Sequence, residues 1–136
     1  MNLASYLKTI PDFSAISSRD LEVLEKSMLV NNYPDGHIFF HEGKTSKEMH
    51  LIIEGKVNLY QQDLETEEHQ IFETLYPGDL FGVLSFVTND KNLVSYIADG
   101  EVTTASLPKP AFIMLYDSKS NLAHHFQHII ARQLTR

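Results

Sequence analysis

The sequence contains no cysteine. Disulfides, thiol catalysis, iron–sulfur clusters and thiolate zinc sites are therefore excluded. The absence also fits a cytoplasmic protein, which is the location we expect. No run of 18 apolar residues occurs, so we expect no membrane span. The first ten residues carry one lysine and no long apolar core, unlike a secretory signal.

Basic residues are scarce, since 11 Lys and Arg face 18 Asp and Glu and leave a net charge of −7. Nucleic-acid binding requires a basic face that neutralises phosphates. We therefore expect no nucleic-acid contact through this chain. Part of the acidic excess lies in residues 61–69, which we interpret as a solvated hairpin loop without the ligand spacing of a calcium loop.

The chain has 136 residues, of which 43% are hydrophobic and 21% charged, as in one globular domain. We expect a single domain over 1–136. Its parts are a helical lead-in at 1–29, a β region at 30–108 and C-terminal helices at 109–136.

The lead-in carries an apolar stripe at the three- and four-residue steps of a helix, formed by Leu21, Leu24, Met28 and Leu29. Ser17 and Ser18 precede this stripe and are suitable helix caps. Phe13 and Ile16 stand before the caps and are predicted to anchor the segment on a core.

From residue 30 the pattern changes to short β-rich runs, which are 37–40, 49–53, 57–60, 70–75, 94–98 and 102–107. Glycine-containing turn signals separate the runs, among them Glu54-Gly55-Lys56 and Asp99-Gly100. Many short strands at spacings of about ten residues imply a β-sandwich, barrel or roll.

The C-terminal segment is predicted to form a helix that begins near Ser118 or Ser120. Its apolar face is formed by Leu122, Phe126, Ile129, Ile130 and Leu134. This apolar face can pack either on its own chain or on a second chain, but not on both. We expect a weak homodimer through Leu122, Phe126 and Ile130, with packing on the helix's own chain as the alternative.

Two pairs of histidines are considered as metal ligands because of their spacing in the sequence. His124 and His128 lie four residues apart on the opposite face of that helix, a spacing that can place two imidazoles on one ion. A third ligand is not evident nearby, so we expect surface histidines and no metal site. His37 and His41 share a strand face at roughly 13 Å, too far to chelate one ion.

Five of the six glycines stand in an ordered series of motifs, which are 34–39, 41–43, 49–57 and 77–82. This series resembles the cyclic-nucleotide-binding domain family, the fold of catabolite-activator-type regulators, cyclic-nucleotide-dependent kinases and gated channels. The resemblance covers residue 5 to about residue 135. It implies a mainly β protein, an antiparallel, jelly-roll-like β-roll with an N-terminal helix and C-terminal helices.

The resemblance also implies a ligand site, a phosphate cassette whose backbone amides face the cyclic phosphate at a short helical turn. The candidate residues are Phe81, Gly82, Val83, Leu84, Ser85, Lys91 and Asn92. In the family a glutamate follows the glycine and an arginine comes about nine residues later. Here those positions hold Val83 and either Asn92 or Leu93, and the nearest cation is Lys91.

These departures predict a regulatory domain that does not bind cAMP or cGMP in the usual way, and that acts in signal transduction through another small effector or a protein partner. We expect no cofactor and no enzymatic activity. One alternative is the effector domain of a longer catabolite-activator-type transcription regulator. The other is a cupin-like metal enzyme, although His37 and His41 have the wrong spacing for the His-x-His pair of that fold.

Overall fold

The computed structural model describes residues 2–62, 68–117 and 121–134. The helices are α1 (Leu3–Thr9), α2 (Ser18–Ser27), α3 (Val83–Thr88), α4 (Lys109–Asp117) and α5 (Asn121–Leu134), with a 3-10 turn at Pro11–Phe13. The strands are β1 (Leu29–Tyr33), β2 (Ile38–Phe40), β3 (Glu48–Gln62), β4 (His69–Leu75), β5 (Leu80–Phe81) and β6 (Ser95–Pro108).

These elements form two compact units. The helical unit comprises Met1–Leu29 and Leu107–Arg136, and the β unit comprises Val30–Ser106. Within the described ranges, no helix is long and apolar enough to span a membrane.

The predicted cap of α2 is confirmed. The Ser17 hydroxyl accepts a hydrogen bond of 3.2 Å from the Asp20 amide and satisfies one free donor of the first turn. Leu21 and Leu24 are buried on the predicted face. The stripe stops before Leu29, which is 58% exposed because the chain turns there from helix into β1.

The predicted apolar face of α5 is buried at Leu122, Phe126, Ile129 and Ile130. The side chain of Leu134 lies outside the described residues. Phe126 is 1% exposed, and its ring lies 6.3 Å from that of Phe13 and 6.0 Å from that of Phe112. Phe13 is thus the anchor that the sequence predicted.

The expected homodimer through Leu122, Phe126 and Ile130 is therefore wrong in its choice of surface. Those side chains are already buried within one chain, so a second copy cannot also cover them. Helical periodicity identified the face that avoids water, but it could not identify which surface would cover that face.

The β unit contains one six-stranded sheet with the order β1-β6-β3-β4, in which β2 also pairs with β6 and β5 with β3. The pairs of β2 with β6, β3 with β4 and β3 with β5 are antiparallel. The expected fold class, a mainly antiparallel β-roll together with helices, is confirmed.

Two predicted turns are wrong. Glu54-Gly55-Lys56 and Asp99-Gly100 lie inside the continuous strands β3 and β6. Both glycines have positive φ, so each strand bends at its glycine without ending. A Cβ on Gly55 would collide with the carbonyl oxygen of Glu101 in β6, so the close approach of the two strands requires glycine there.

Replacing the buried ring of Phe126 tests whether the α5 face belongs to the core. We expect Phe126→Ala to lower the free energy of unfolding by about 3–5 kcal/mol in urea denaturation, because it leaves a cavity. Met114→Ala is the matched control, because Met114 in α4 is 74% exposed, and a change within about 0.5 kcal/mol is expected. A wild-type dimer in sedimentation that Phe126→Ala dissociates without unfolding would instead restore the interface.

Candidate functional site

The cassette begins at a backbone position that requires glycine. Gly82 has φ 76° and ψ 9°, in the left-handed region, and precedes the first residue of α3. A Cβ at this position would lie 2.5 Å from a ring carbon of Phe40 and 3.2 Å from the carbonyl oxygen of Glu48. Both the backbone conformation and the packing therefore fix Gly82.

The side chains of the cassette divide between core and surface. Val83, Ser85 and Phe86 are buried, whereas Leu84 and Val87 on the outer face are 45% and 48% exposed. The short helical turn expected here is confirmed as α3. At the position of the family glutamate, the structure therefore places a buried alkyl group.

Ser85, one of the candidate site residues, is 1% exposed, and its hydroxyl already has a partner. Its Oγ accepts a hydrogen bond of 2.7 Å from the backbone amide of Ser46. This bond joins α3 to the loop that precedes β3.

Asn92 is likewise buried and bonded. Its side-chain Nδ2 donates 2.9 Å hydrogen bonds to the carbonyl oxygen of Lys44 and to Oγ of Ser46. Its backbone amide donates to the same Lys44 oxygen at 2.8 Å, and its carbonyl accepts from the Gly43 amide at 2.8 Å. The Asn92 clamp, as we name Asn92, Ser46 and Ser85, thus ties two loops and α3 together.

The clamp changes the electrostatics of the site. An amide carries two N–H donors and no charge, and both donors of Asn92 are used within the protein. Leu93, the other position at which the family arginine could fall, is 70% exposed, and Lys91 is exposed as well. Of the predicted site residues, the structure therefore brings Ser85 and Asn92 together and leaves Leu84 and Lys91 at the surface.

Beside the cassette lies a ring cluster that the sequence analysis missed, consisting of Tyr33, His37, Phe39, Phe40, His50, Phe81 and Tyr96. Phe81, the first cassette residue, stacks on His50 with ring centres 5.1 Å apart and planes at 9°. It also stacks on Tyr96 at 5.3 Å and 20°. The rings at positions 37 and 39 are two residues apart, and this spacing could have indicated one shared strand face. The other rings come from other strands, and only the pairing of those strands in the folded chain brings them to this face.

His50 is buried in this cluster with both ring nitrogens bonded. Nδ1 lies 2.7 Å from Oγ1 of Thr104, and Nε2 lies 3.3 Å from Oε1 of Glu48. The hydrogen bond from His50 is the main cause that lowers the pKa of Glu48. Burial, with the nearby charge of His50, lowers the pKa of His37.

Burial, together with the charge of Glu73, raises the pKa of Tyr96, so its phenol stays protonated at neutral pH. The inner side of the site thus presents aromatic rings, with the carboxylate of Glu48 at its edge. Stacked faces and polar ring edges are suited to packing, and no nucleophile paired with a general base is evident in the cluster.

In the ranges that the structure describes, no group of three or more His, Cys, Asp or Glu side chains is arranged to hold a metal ion. One surface cleft is lined by Asn2, Lys8 and Ser18 with their neighbours, and another by Gln61 and Phe72 with theirs.

A family model, described as the cyclic nucleotide-binding domain, matches residues 30–119. The chain belongs to the cyclic nucleotide-binding domain family. The cyclic AMP receptor protein of Thermus thermophilus is 24% identical over 128 residues, which is 94% of this chain and 59% of that protein. A cAMP-dependent protein kinase regulatory subunit of Blastocladiella emersonii is 24% identical over 82% of this chain and 27% of its own.

Solved structures share the fold at low identity. A cyclic nucleotide-binding domain from Methylobacillus flagellatus superposes with a TM-score of 0.86 at 19% identity, covering 98% of this chain and 75% of that one. The Thermus thermophilus catabolite activator protein superposes with a TM-score of 0.77 at 23% identity, covering 92% of this chain and 58% of that one. Membership in this family of regulatory domains makes a regulatory role the coarse function of the chain.

Two glycines, one on each side of β5, allow a matched test of the cassette geometry. We expect Gly82→Ala to lower the free energy of unfolding by about 2–5 kcal/mol, because left-handed strain adds to the collision with Phe40. Gly78 also has positive φ, but its Cβ would meet nothing within 4 Å, so Gly78→Ala should cost only about 1–2 kcal/mol. Equal losses in denaturant titrations would show that the packing against Phe40 is unimportant.

The Glu48–His50 bond predicts a dependence of stability on pH. Because the folded-state pKa of Glu48 is lowered, its contribution is present above the unfolded value of 4.5 and is lost as the pH falls through the folded pKa. We expect Glu48→Gln to destabilise by less than about 1 kcal/mol at pH 7, since the carboxylate is 41% exposed, and this loss should shrink as the pH falls below 4.5. The control, Glu54→Gln at an exposed position of β3, should show no such pH dependence; a flat Glu48→Gln difference would contradict the argument.

Proposed function

We propose that this domain regulates a signalling process without binding cAMP or cGMP in the usual way of its family, and that it acts through a different small effector or a protein partner. The observation that carries the proposal is the Asn92 clamp. Its hydrogen bonds use the Ser85 hydroxyl and the Asn92 side-chain amide, two polar groups that the candidate site would otherwise offer to a ligand.

Two lost contacts support weak binding of cyclic nucleotides. Val83 cannot accept a hydrogen bond from a ribose hydroxyl, and neutral Asn92 cannot form the bidentate ion pair of an arginine with phosphate. Each unpaired ligand group costs about 1–3 kcal/mol, and more when it is charged. Together they weaken binding by roughly a hundred- to ten-thousand-fold.

The Asn92 clamp adds a second free-energy cost to the binding of a cyclic nucleotide. A phosphate that approached the Ser85 hydroxyl or the Asn92 amide would have to displace hydrogen bonds of 2.7–2.9 Å that are already formed in a buried place. Breaking them would leave the Ser46 amide and hydroxyl oxygen without these partners, while the Lys44 oxygen would keep only the bond from the Asn92 backbone amide. A cyclic nucleotide would therefore compete with the protein for the same donors and acceptors.

The exposed face of the cassette favours an uncharged or apolar contact over an anion. Leu84 and Val87 lie three residues apart on one face of α3, and both are about half exposed. Leu93, on the segment that follows α3, is 70% exposed. These side chains offer apolar area rather than phosphate ligands, which suits a nonpolar effector or a partner surface.

A second candidate function is the effector domain of a longer transcription regulator. The chain spans 59% of the Thermus receptor protein, and it superposes with a TM-score of 0.79 on the N-terminal domain of a Streptomyces coelicolor transcriptional regulator, covering 92% of that structure. With a net charge of −7, this part would bind the effector or partner, and any DNA contact would come from another segment.

Calorimetry with cAMP and cGMP tests the proposal. We expect no dissociation constant below about 100 μM for the wild type, given the lost contacts. The matched variant is Asn92→Arg, which supplies the family's cation but breaks the clamp. It should lower the melting temperature without producing micromolar binding.

A low-micromolar constant for the wild type would overturn the proposal outright. Micromolar binding by Asn92→Arg with an unchanged melting temperature would show that only the charge was missing and that the clamp is irrelevant. Circular dichroism of both proteins verifies that the comparison is made between folded chains.

A further inference from the structure

The exposed side of α5 carries two histidines that face each other. His124 and His128 are both exposed, while Phe126 and Ile129 on the other side of the helix are buried. The ring centres of His124 and His128 are 4.7 Å apart, and the ring planes meet at 81°. The buried side anchors the helix, so the pair is presented on a supported turn.

This separation matches the geometry of a shared metal ion. An ion held at about 2.0–2.1 Å from a nitrogen of each ring would lie roughly 3.2 Å from each ring centre, and ligand–metal–ligand angles of about 90–110° then place the two centres about 4.5–5.2 Å apart. The observed 4.7 Å falls inside that interval. The separation of the two ring centres is therefore compatible with one shared ion.

His125 provides a contrast within the same turn. Its ring centre lies 6.4 Å from that of His124, outside the interval for a shared ion. Its Nδ1 is buried, with no hydrogen-bond partner in the part of the chain that the structure describes. His125 is thus directed away from the surface pair and is not expected to be a ligand.

Charge near the pair does not prevent a cation from binding. Arg132 lies one turn beyond His128, but its guanidinium is 3.2 Å from the carboxylate of Asp12, which offsets its charge. The whole chain has a net charge of −7, so its electrostatic field on average attracts divalent cations.

We propose that His124 and His128 form a two-imidazole site for a divalent transition-metal ion of the class that prefers nitrogen ligands, Cu²⁺, Ni²⁺ or Zn²⁺. Water completes the coordination, and the ion bridges one turn of α5. The site has two protein ligands, so it is consistent with the absence of larger ligand groups among the described residues. It revises the expectation of ordinary surface histidines, and it stands whether or not the proposed regulatory function holds.

The affinity should follow the Irving–Williams order. Cu²⁺ should bind most tightly, with a dissociation constant on the order of micromolar, followed by Ni²⁺ and Zn²⁺, while Mg²⁺ should not bind because it prefers oxygen ligands. Binding should raise the melting temperature, since an ion that bridges one turn of α5 binds only the folded helix.

The experiment uses the full chain without an affinity tag and the chlorides of the four metals, with isothermal titration and thermal melting as readouts. We expect His124→Gln and His128→Gln each to weaken Cu²⁺ binding by at least about tenfold. The matched controls are His125→Gln in the same turn and His41→Gln at an exposed loop position, and both should bind as the wild type does.

Saturable Cu²⁺ binding that only His124→Gln and His128→Gln weaken would support the site. No saturation of the wild type by 1 mM, or an equal loss in His125→Gln, would overturn it. A measurement on the wild type alone avoids any folding defect of a variant. In a nitrogen-15 correlation spectrum, substoichiometric Cu²⁺ should broaden the amides of 124–128 first, and earlier broadening near His37 or His41 would also overturn the proposal.

Discussion

The arrangement of the candidate site depends on a buried amide, that of Asn92. A neutral side chain at this position can be satisfied entirely by protein groups, whereas a guanidinium would need an anion to balance its charge. Here the amide is satisfied by Lys44 and Ser46, and Ser46 in turn satisfies the hydroxyl of Ser85. The loops and α3 are therefore held in place by the protein's own hydrogen bonds, without any ligand.

The ring cluster supports the same segment from the inside. Phe81 precedes Gly82 and stacks on His50 and Tyr96, while Phe40 packs where a Cβ of Gly82 would stand. The cassette is thus fixed by apolar packing on one side and by the Asn92 clamp on the other. Both supports are internal to the domain, which is consistent with the proposed function.

The two sides of helix α5 have different roles. The buried side of α5 joins the core through Phe126, and this leaves the other side, with His124 and His128, free to face solvent. Helical periodicity relates the two sides: residues that share the surface side at a four-residue spacing must lie one above the other. The exposed pair is therefore a consequence of the same pattern that buries the core residues.

The sequence by itself determined the family, the β-roll, the cap at Ser17 and the buried face of α5, because turn glycines and hydrophobic periodicity are local patterns. It also predicted a cassette without the family's ionic groups, at Val83 and at either Asn92 or Leu93, and this assignment stays a prediction. Only the tertiary structure decided that Gly55 and Gly100 bend strands rather than end them, that α5 is covered by its own chain, and that Ser46 bonds to Ser85 and Asn92. Those outcomes depend on which distant segments meet, and contacts across some 40 residues leave no periodic trace in the chain.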